Sequence, residues 1–323
     1  MILSTPIKIP QSDFKITHKE GVFLMGSCFS QNINKKLKET KFNVDLNSFG
    51  TIYNPISIAD NLSRLIEEKN YGSSDIYNYK DEKLVNFSNQ NNSLKIDEEY
   101  FLNIENEQLS ADMTSLKQSN TIILTFGTAW VYEWKETNQI VANCHKIPNT
   151  SFSQRLLMVA EIVAKYVELL SQLTTKKIIF TVSPVRHAKG GLHENNLSKS
   201  TLHLAINELV KKYKNCSYFP AYEIVIDELR DYRFFKEDMV HPTDQAVNYV
   251  WEKFSETYFN EETKQLIEEI LKIKNAVAHK PFNYESKEHQ LFIKKQIETI
   301  NQLKSKYSFL YFTTEINQLN QLK

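Results

Sequence analysis

The chain has 323 residues, which suits one large domain with additions or one domain plus a small second one. Hydrophobic residues make up 41% of it, so a sizeable core can form, and Lys plus Arg equal Asp plus Glu at 39 each. This charge balance gives no support for a general nucleic-acid binder or a trap for acidic substrates.

Cysteine usage and the absence of targeting signals favour the cytoplasm. The three cysteines have no CxxC spacing, and an odd number argues against a disulfide framework. The N-terminal sequence MILSTPIKIP lacks the apolar core of a secretory signal. No run of 18 apolar residues occurs. We therefore expect a cytoplasmic protein with no membrane partner.

Strand and helix patterns alternate along residues 1–258. Continuous apolar runs predict strands at residues 22–25, 121–126, 177–182 and 218–219. Helical patterns follow at residues 30–40, 56–69, 153–173, 196–214 and 243–258. Apolar strands of this kind are covered on both faces, so the alternation predicts an α/β fold with a doubly wound parallel sheet.

Two segments depart from this alternation. Residues 70–120 are polar and rich in Asn, Ser, Asp and Glu, which predicts an insertion with a short strand pair around residues 84–96. Residues 259–323 carry an almost continuous helical pattern that Pro281 interrupts. We expect a C-terminal helical extension that packs on the domain or joins copies of the chain into a homo-oligomer.

Polar residues follow each predicted strand. In an open α/β sheet, ligands bind beyond the carboxyl ends of the strands, so these residues are expected to converge. The segments are Gly26-Ser27-Cys28, Gly127-Thr128-Ala129-Trp130, Ser183-Pro184-Val185-Arg186-His187 and Asp238-Met239-Val240-His241.

Ser27, Asp238 and His241 together suit nucleophilic catalysis. A serine hydroxyl needs a base within hydrogen-bond reach, and a third group must hold that base in one tautomer. A DxxH turn supplies base and orienter from the same side of the chain. Such a base contributes about 10²–10⁴-fold to the rate.

Plainer interpretations stand beside this one. A Gly-Ser pair after a strand is a common turn, and a histidine after Dxx is often a capped surface residue. Cys28 is a rival nucleophile, although free cysteine is usually a small packing residue. It would point away from Ser27 if the strand continued through it.

Other polar residues are candidates for the pocket around Ser27. The Ser27 and Gly50 amides could bind an oxyanion, while Asn143, His145 and His187 could line the pocket. His145 with Cys144 could alternatively ligate a metal, but no second pair stands at zinc-site spacing. We expect neither a metal nor an organic cofactor. The aromatic and polar cluster at residues 218–235 is expected to hold the DxxH turn.

These residues carry a family resemblance. GSCFS at 26–30 resembles the motif that names the GSCFA-domain family, with Ser30 where the name has Ala. Further segments that resemble the family are SFGTIYNP at 48–55, TFGTAWVYEW at 125–134, VANCHKIP at 141–148, TVSPVRH at 181–187 and YFPAYEIVIDELRDYRFFKEDMVHPT at 218–243. The resemblance spans roughly residues 1–255 and does not secure the residues after about 260.

The family is grouped with the SGNH or GDSL-like hydrolases. The resemblance implies a flavodoxin-like three-layer α/β/α sandwich over residues 1–258, with Ser27 as nucleophile and Asp238 and His241 as its partners. It also implies that Gly50 is an oxyanion donor. Two blocks depart from the pattern: GSC replaces GDS, and FGTA at 126–129 lacks the asparagine of GxND. Asn54 or Asn143 could replace that asparagine.

The expected activity is hydrolysis of an ester on a small molecule or carbohydrate, O-acetyl groups included. The residues expected to bind the substrate or the oxyanion are Gly50, Asn54, Gly127, Thr128, Asn143, His145, Arg186 and His187. Acyl transfer to a sugar hydroxyl would use the same triad. A protein of another class, a non-catalytic carbohydrate binder or scaffold on a degenerate hydrolase fold, is the remaining alternative.

Overall fold

The computed structural model describes residues 4–80, 83–94, 97–279, 281–284 and 286–321. The strands of this part of the chain are β1 (Gly21–Gly26), β2 (Val44–Leu46), β3 (Ile76–Tyr79), β4 (Lys83–Asn86), β5 (Asn92–Leu94), β6 (Ser119–Phe126), β7 (Trp130–Trp134), β8 (Gln139–Val141), β9 (Phe152–Leu156), β10 (Lys177–Val182) and β11 (Cys216–Phe219). The helices are α1 (Cys28–Glu39), α2 (Pro55–Ile66), α3 (Glu98–Gln118), α4 (Val159–Ser171), α5 (Leu192–Lys212), α6 (Ala221–Glu223), α7 (Asp244–Tyr258), α8 (Glu261–Ala278), α9 (Lys287–Lys306) and α10 (Thr313–Gln321).

The central sheet has five parallel strands in the order β11-β10-β6-β1-β2. Counted along the chain within this sheet, the order is 2-1-3-4-5, which is that of flavodoxin-like doubly wound folds. The direction of winding reverses between β1 and β6. The predicted parallel α/β sheet is therefore confirmed, and its switch point lies between these two strands.

Helices cover both faces of the sheet because each strand sends alternate apolar side chains to opposite sides. Phe23 and Met25 of β1 belong to one buried cluster, which α2, α3, α4 and α5 complete. Val22 and Leu24 belong to the other, with apolar residues of α1 and α7. Burying each large apolar side chain contributes about 1.5–3 kcal/mol. The result is a three-layer α/β/α sandwich.

Residues 70–120, predicted as an insertion, contain a small sheet followed by a helix of the sandwich. β3, β4 and β5 form a separate antiparallel sheet, so the predicted strand pair around 84–96 is present as β4 and β5, although residues 95 and 96 lie outside the described part. α3 instead belongs to the sandwich, where Leu109 and Met113 are buried in the core. Two buried carboxylates, Glu105 and Asp112, interrupt its apolar stripe and conceal the helix in the sequence.

A third antiparallel sheet, β8-β7-β9, was not predicted. Its last strand occupies the start of the helix predicted at 153–173, and α4 begins only at Val159. The sheet lies between β6 and α4 in the chain, so it extends from the carboxyl end of the central sheet.

The C-terminal helices α8, α9 and α10 form the predicted extension. They share an apolar cluster of their own, which includes Leu266, Ile293 and Phe312. Ion pairs between Lys41 and Glu315 (2.5 Å) and between Lys274 and Glu39 (2.9 Å) connect them to α1 and the residues after it. None of the helices in the described ranges is long and apolar enough to cross a membrane. Self-association through α8–α10 stays a prediction.

We expect Gly26→Ala to lower the free energy of unfolding by about 3 kcal/mol or more, measured by urea unfolding. Gly26 has φ +138°, and a Cβ there would lie 2.2 Å from the Thr125 carbonyl oxygen. The control is Gly72→Ala, since no atom lies within 4 Å of a Cβ at that position. The control is expected to change the value by less than about 0.5 kcal/mol. Equal losses in the two variants would contradict the steric explanation.

Candidate active site

Ser27 lies at the switch point of the sheet. β1 ends at Gly26, and Ser27 is the N-cap of α1, with φ −69° and ψ 171°. Ser27 is 1% exposed, and the structure gives its Oγ no hydrogen-bond partner. Its amide donates to the carbonyl of Thr125 at 3.0 Å. The predicted position is therefore confirmed, but the Ser27 amide is already engaged, so the prediction that it binds an oxyanion is wrong for this arrangement.

Cys28 lies in the first turn of α1, not in a continuing strand, so the premise that turned it away from Ser27 does not hold. The amides of Cys28 and Phe29 lie at the helix N-terminus, where backbone donors lack helical partners. Burial raises the pKa of the Cys28 thiol, while these two amides and Lys199 oppose the rise. Cys28 is half-buried and stays a rival nucleophile.

Asp238 and His241 form a preassembled pair on one turn. Asp238 Oδ1 accepts the amides of Val240 and His241, each at 2.9 Å. Its Oδ2 lies 2.7 Å from Nδ1 of the His241 ring. These hydrogen bonds, the His241 amide foremost, lower the pKa of Asp238 to about 2. An ionised carboxylate at Nδ1 keeps the proton there and leaves Nε2 as the acceptor that a general base needs.

A short hairpin holds this turn. The Lys236 amide donates to the His241 carbonyl and the Thr243 amide to the Phe234 carbonyl, both at 2.8 Å. The Arg186 guanidinium lies 4.4 Å from the centre of the Phe235 ring. Arg186, predicted to bind substrate, thus packs against the aromatic segment before the DxxH turn. This agrees with the structural role expected for residues 218–235.

Ser27 and His241 are not joined by a hydrogen bond in the described arrangement. The Arg186 amide donates to the Val240 carbonyl at 3.4 Å, which attaches the turn to the loop after β10. The orienter and base are therefore assembled, while no hydrogen bond joins them to the serine.

A cavity of about 220 Å³ opens beside the switch point. Its lining residues are Tyr53, Asn54, Thr128, Trp130, Tyr132, Val141, Ala142, Asn143, Cys144, His187 and Lys189. A second cavity of about 440 Å³ shares Trp130, Tyr132, His187 and Lys189 with it. Four predicted substrate-binding residues, from distant parts of the chain, thus meet in one place. Ser27 is not among the lining residues but packs against Gly127. The Tyr53 carbonyl accepts the Gly127 and Thr128 amides at 2.8 and 3.0 Å.

Of the two asparagines considered as oxyanion donors, Asn54 is committed elsewhere. Its Oδ1 accepts the Ser57 amide at 2.8 Å, and its Nδ2 donates to the Ser57 hydroxyl at 3.0 Å, which caps α2. Asn143 accepts the His145 amide at 2.7 Å through its Oδ1. Asn143 is therefore the better candidate for a side-chain donor in the cavity.

Gly50 and His145 do not line the cavity. A Cβ at Gly50 would lie 2.8 Å from Oε1 of Gln90, so that side chain packs against one side of this half-buried glycine. The role of the Gly50 amide as an oxyanion donor stays a prediction. His145 is 4% exposed, and its Nε2 bonds to the carbonyl of Asn86 at 2.8 Å. Burial lowers the pKa of His145, which keeps the ring neutral. Within the described ranges, no cluster of three or more His, Cys, Asp or Glu side chains is placed to hold a metal ion.

The buried polar face of α5 was missed by the sequence analysis. Asn195, Ser198 and Lys199 are at most 3% exposed. Asn195 accepts the His187 amide at 2.9 Å, and Ser198 accepts the Ala129 amide at 2.7 Å. The signal was present in ENNLSKS: polar residues at i, i+3 and i+4 share one helix face, here the inner one.

Lys199 sets the electrostatics of this region. Its Nζ donates to the carbonyls of Gly127 and Ser183, both at 2.7 Å. Burial lowers its pKa to about 7. Burial also lowers the pKa of His187, and the charges of Lys199 and Lys189 lower it further. The cavity therefore has a neutral imidazole on its wall at neutral pH.

Two protein-family models match this chain. The model of the GSCFA family matches residues 21–254, and that of the GSCFA domain protein C-terminal domain matches residues 270–322. Neither the curated proteins nor the solved structures yield a match. The first match includes the switch point, the cavity and the DxxH turn, and it spans more than half of the chain. The chain therefore belongs to the GSCFA family.

Proposed function

We propose that this protein is a serine hydrolase of the SGNH or GDSL-like type that cleaves an ester. The observation that carries the proposal is the pairing of Asp238 with His241, at 2.7 Å between Oδ2 and Nδ1. It lies at the same carboxyl edge of the sheet as Ser27, whose buried hydroxyl has no partner. A base with its orienter and an unpaired nucleophile at a topological switch point support acyl chemistry.

The reaction begins with attack of Ser27 Oγ on the acyl carbonyl, while His241 Nε2 takes the serine proton. The amides of Cys28 and Phe29, which directly follow Ser27 at the positive end of α1, are the proposed donors to the developing oxyanion. Collapse of the tetrahedral intermediate breaks the ester bond, and His241 returns the proton to the departing alcohol. Water, activated by the same imidazole, then releases the carboxylic acid and restores Ser27.

Approach of the DxxH turn to Ser27 belongs to this proposal. The side chains of Asp238 and His241 are 49% and 45% exposed. Their mutual contacts lie within the turn, so the pair can move as a unit without losing the Asp–His bond. Catalytic hydrogen bonds commonly tighten only when the substrate is bound.

The two adjoining cavities support a carbohydrate ester as substrate. Aromatic rings and carboxamides line them, among them Trp130, Tyr132, Asn143, Asn149 and Gln154. Such a lining offers apolar faces and many neutral hydrogen-bonding groups, which suits a polyhydroxylated ring. The O-acyl group would enter at the Tyr53 end of the smaller cavity, nearest to Ser27. Action in the cytoplasm and without a cofactor remains part of the proposal.

Two other functions use the same surface. Acyl transfer to a sugar hydroxyl needs the same residues and differs only in which hydroxyl compound resolves the acyl-enzyme. A non-catalytic carbohydrate binder is favoured by one observation, the lack of a hydrogen bond between Ser27 and His241. The lack of the GxND asparagine in FGTA at 126–129 points the same way.

Trapping of an acyl-enzyme tests the proposal. We expect 4-nitrophenyl acetate to add one acetyl group to the wild-type protein, detected by mass spectrometry, and Ser27→Ala to remain unlabelled. His241→Ala is expected to slow acylation by about 10²–10⁴-fold, because it removes the base. Cys28→Ala is the matched control beside the nucleophile and should acylate at close to the wild-type rate.

The outcomes separate the hypotheses. Label that persists in Ser27→Ala and disappears in Cys28→Ala would make Cys28 the nucleophile. No label and no turnover of short-chain esters, together with saturable binding of a sugar, would identify a binding protein. A product acylated on an added sugar acceptor would identify a transferase.

Tyr132→Phe tests the carbohydrate site, because Tyr132 lines both cavities. Loss of one hydroxyl hydrogen bond, about 0.5–1.5 kcal/mol, is expected to raise KM for an acetylated sugar by about 2–12-fold. Hydrolysis of 4-nitrophenyl acetate, which has no sugar, serves as the control and should keep its KM. Equal effects on the two substrates would argue against a sugar in these cavities.

A further inference from the structure

We propose that Lys199 is a positioning residue of this site. Its buried amino group joins the ends of β6 and β10 to α5 and so holds the backbone that supports Ser27 and the DxxH turn. The kinetic part of this inference rests on the proposed hydrolase function. The geometric part stands on hydrogen bonds and burial alone.

Lys199 is fully enclosed. It is 2% exposed, and its Nζ lies 2.7 Å from the carbonyl oxygens of both Gly127 and Ser183. Each of these residues directly follows the last residue of its strand, β6 or β10. The Tyr222 ring centre lies 5.5 Å from the same nitrogen. No ion pair joins Lys199 to a carboxylate in the ranges that the structure describes, so the two strand-end carbonyls are its main partners.

Burying a lysine in this position costs free energy of folding. Removing an ammonium group from water without an opposite charge is unfavourable, and an apolar residue of similar length would avoid that cost. Without Lys199, the carbonyl oxygens at two adjacent strand ends would be buried with no hydrogen-bond donor. A long side chain with several N–H donors can reach both at once, which a helix backbone packed on the sheet cannot.

Gly127 connects Lys199 to Ser27. A Cβ at Gly127 would lie 3.2 Å from the Ser27 Cβ and 3.1 Å from the Tyr53 carbonyl oxygen. The backbone of Gly127 is thus packed tightly against the serine, while its carbonyl is held by Lys199. A shift of Gly127 is therefore transmitted to Ser27 and to the cavity residue Tyr53.

Ser183 connects Lys199 to the other half of the site. The segment that begins at Ser183 leads to Arg186, whose amide bonds to Val240 of the DxxH turn and whose guanidinium packs on Phe235 just before that turn. The same amino group therefore connects the backbone beside Ser27 with the segment that contacts the DxxH turn. Ser198, the preceding residue, reinforces the first side through the Ala129 amide and the Thr128 hydroxyl.

Lys199→Met tests the inference, with Lys211→Met as the control, an exposed lysine on the same helix. We expect acylation of Ser27 by 4-nitrophenyl acetate to slow by about 10²-fold in Lys199→Met, as for a misplacement of about 1 Å, with KM changed much less. Amide hydrogen exchange should accelerate at residues 127–129 and 183–187, with the centre of the sheet protected as before. The control should match the wild type.

Wild-type acylation in folded Lys199→Met, or faster exchange spread over the whole sheet, would overturn the positioning role. Should Lys199→Met fail to fold, Lys199→Gln keeps one N–H donor and takes its place, with the same expectations. Should the wild-type protein not be acylated at Ser27, the proposed function fails. The exchange pattern then decides the positioning role by itself.

The pH dependence of stability gives a second test of the buried amine. Burial lowers the pKa of Lys199 in the folded protein to about 7, from an ordinary value of 10.5. Between these values the unfolded chain binds more protons than the folded one, so stability rises with pH. From about pH 7.5 to 9.5, the wild-type unfolding constant should fall by up to about tenfold per pH unit relative to Lys199→Met. Parallel pH profiles in the two proteins would contradict the enclosure of Lys199.

Discussion

Where the order of the strands reverses, β1 and β6 lie side by side with no room for a side chain at Gly26 and very little at Gly127. This close packing of two strand ends is the constraint from which the rest of the site follows. It brings the N-terminus of α1 beside the β6 loop, and so brings Ser27 beside Gly127 and Tyr53. The reversal also separates the flanking crossovers, and the cavity opens at that separation.

One part of the site forms through contacts within a few residues, and the other forms through contacts between distant parts of the chain. The Asp238–His241 pair is local: a carboxylate three residues before a histidine accepts two amides of its own turn and then the ring nitrogen. Such an arrangement needs only a few residues of correct backbone. Ser27 has no local partner, so what its hydroxyl meets depends on the packing of loops from other strands.

Buried polar side chains hold the loops that follow the strands at the carboxyl edge of the sheet. Lys199 and Ser198 hold the backbone after β6, and Asn195 holds the His187 amide after β10. Asn54 and Asn143, which line the cavity, cap a helix and a turn. Some of the polar residues at this edge of the sheet are therefore structural, while others, such as Tyr132 and Gln154, line the cavities.

The amino-acid sequence by itself determined the parallel α/β sheet, the place of Ser27 at a strand end and the turn that pairs Asp238 with His241, because these depend on apolar periodicity and on contacts within a few residues. It also indicated the family. Tertiary structure alone decided that α3 belongs to the sandwich, since Glu105 and Asp112 interrupt its apolar stripe and find partners elsewhere in the chain. It likewise decided that the Ser27 amide, His145 and Arg186 have structural partners, and that Lys199 connects two strand ends. Those roles rest on contacts between residues far apart in the chain, which no local pattern records.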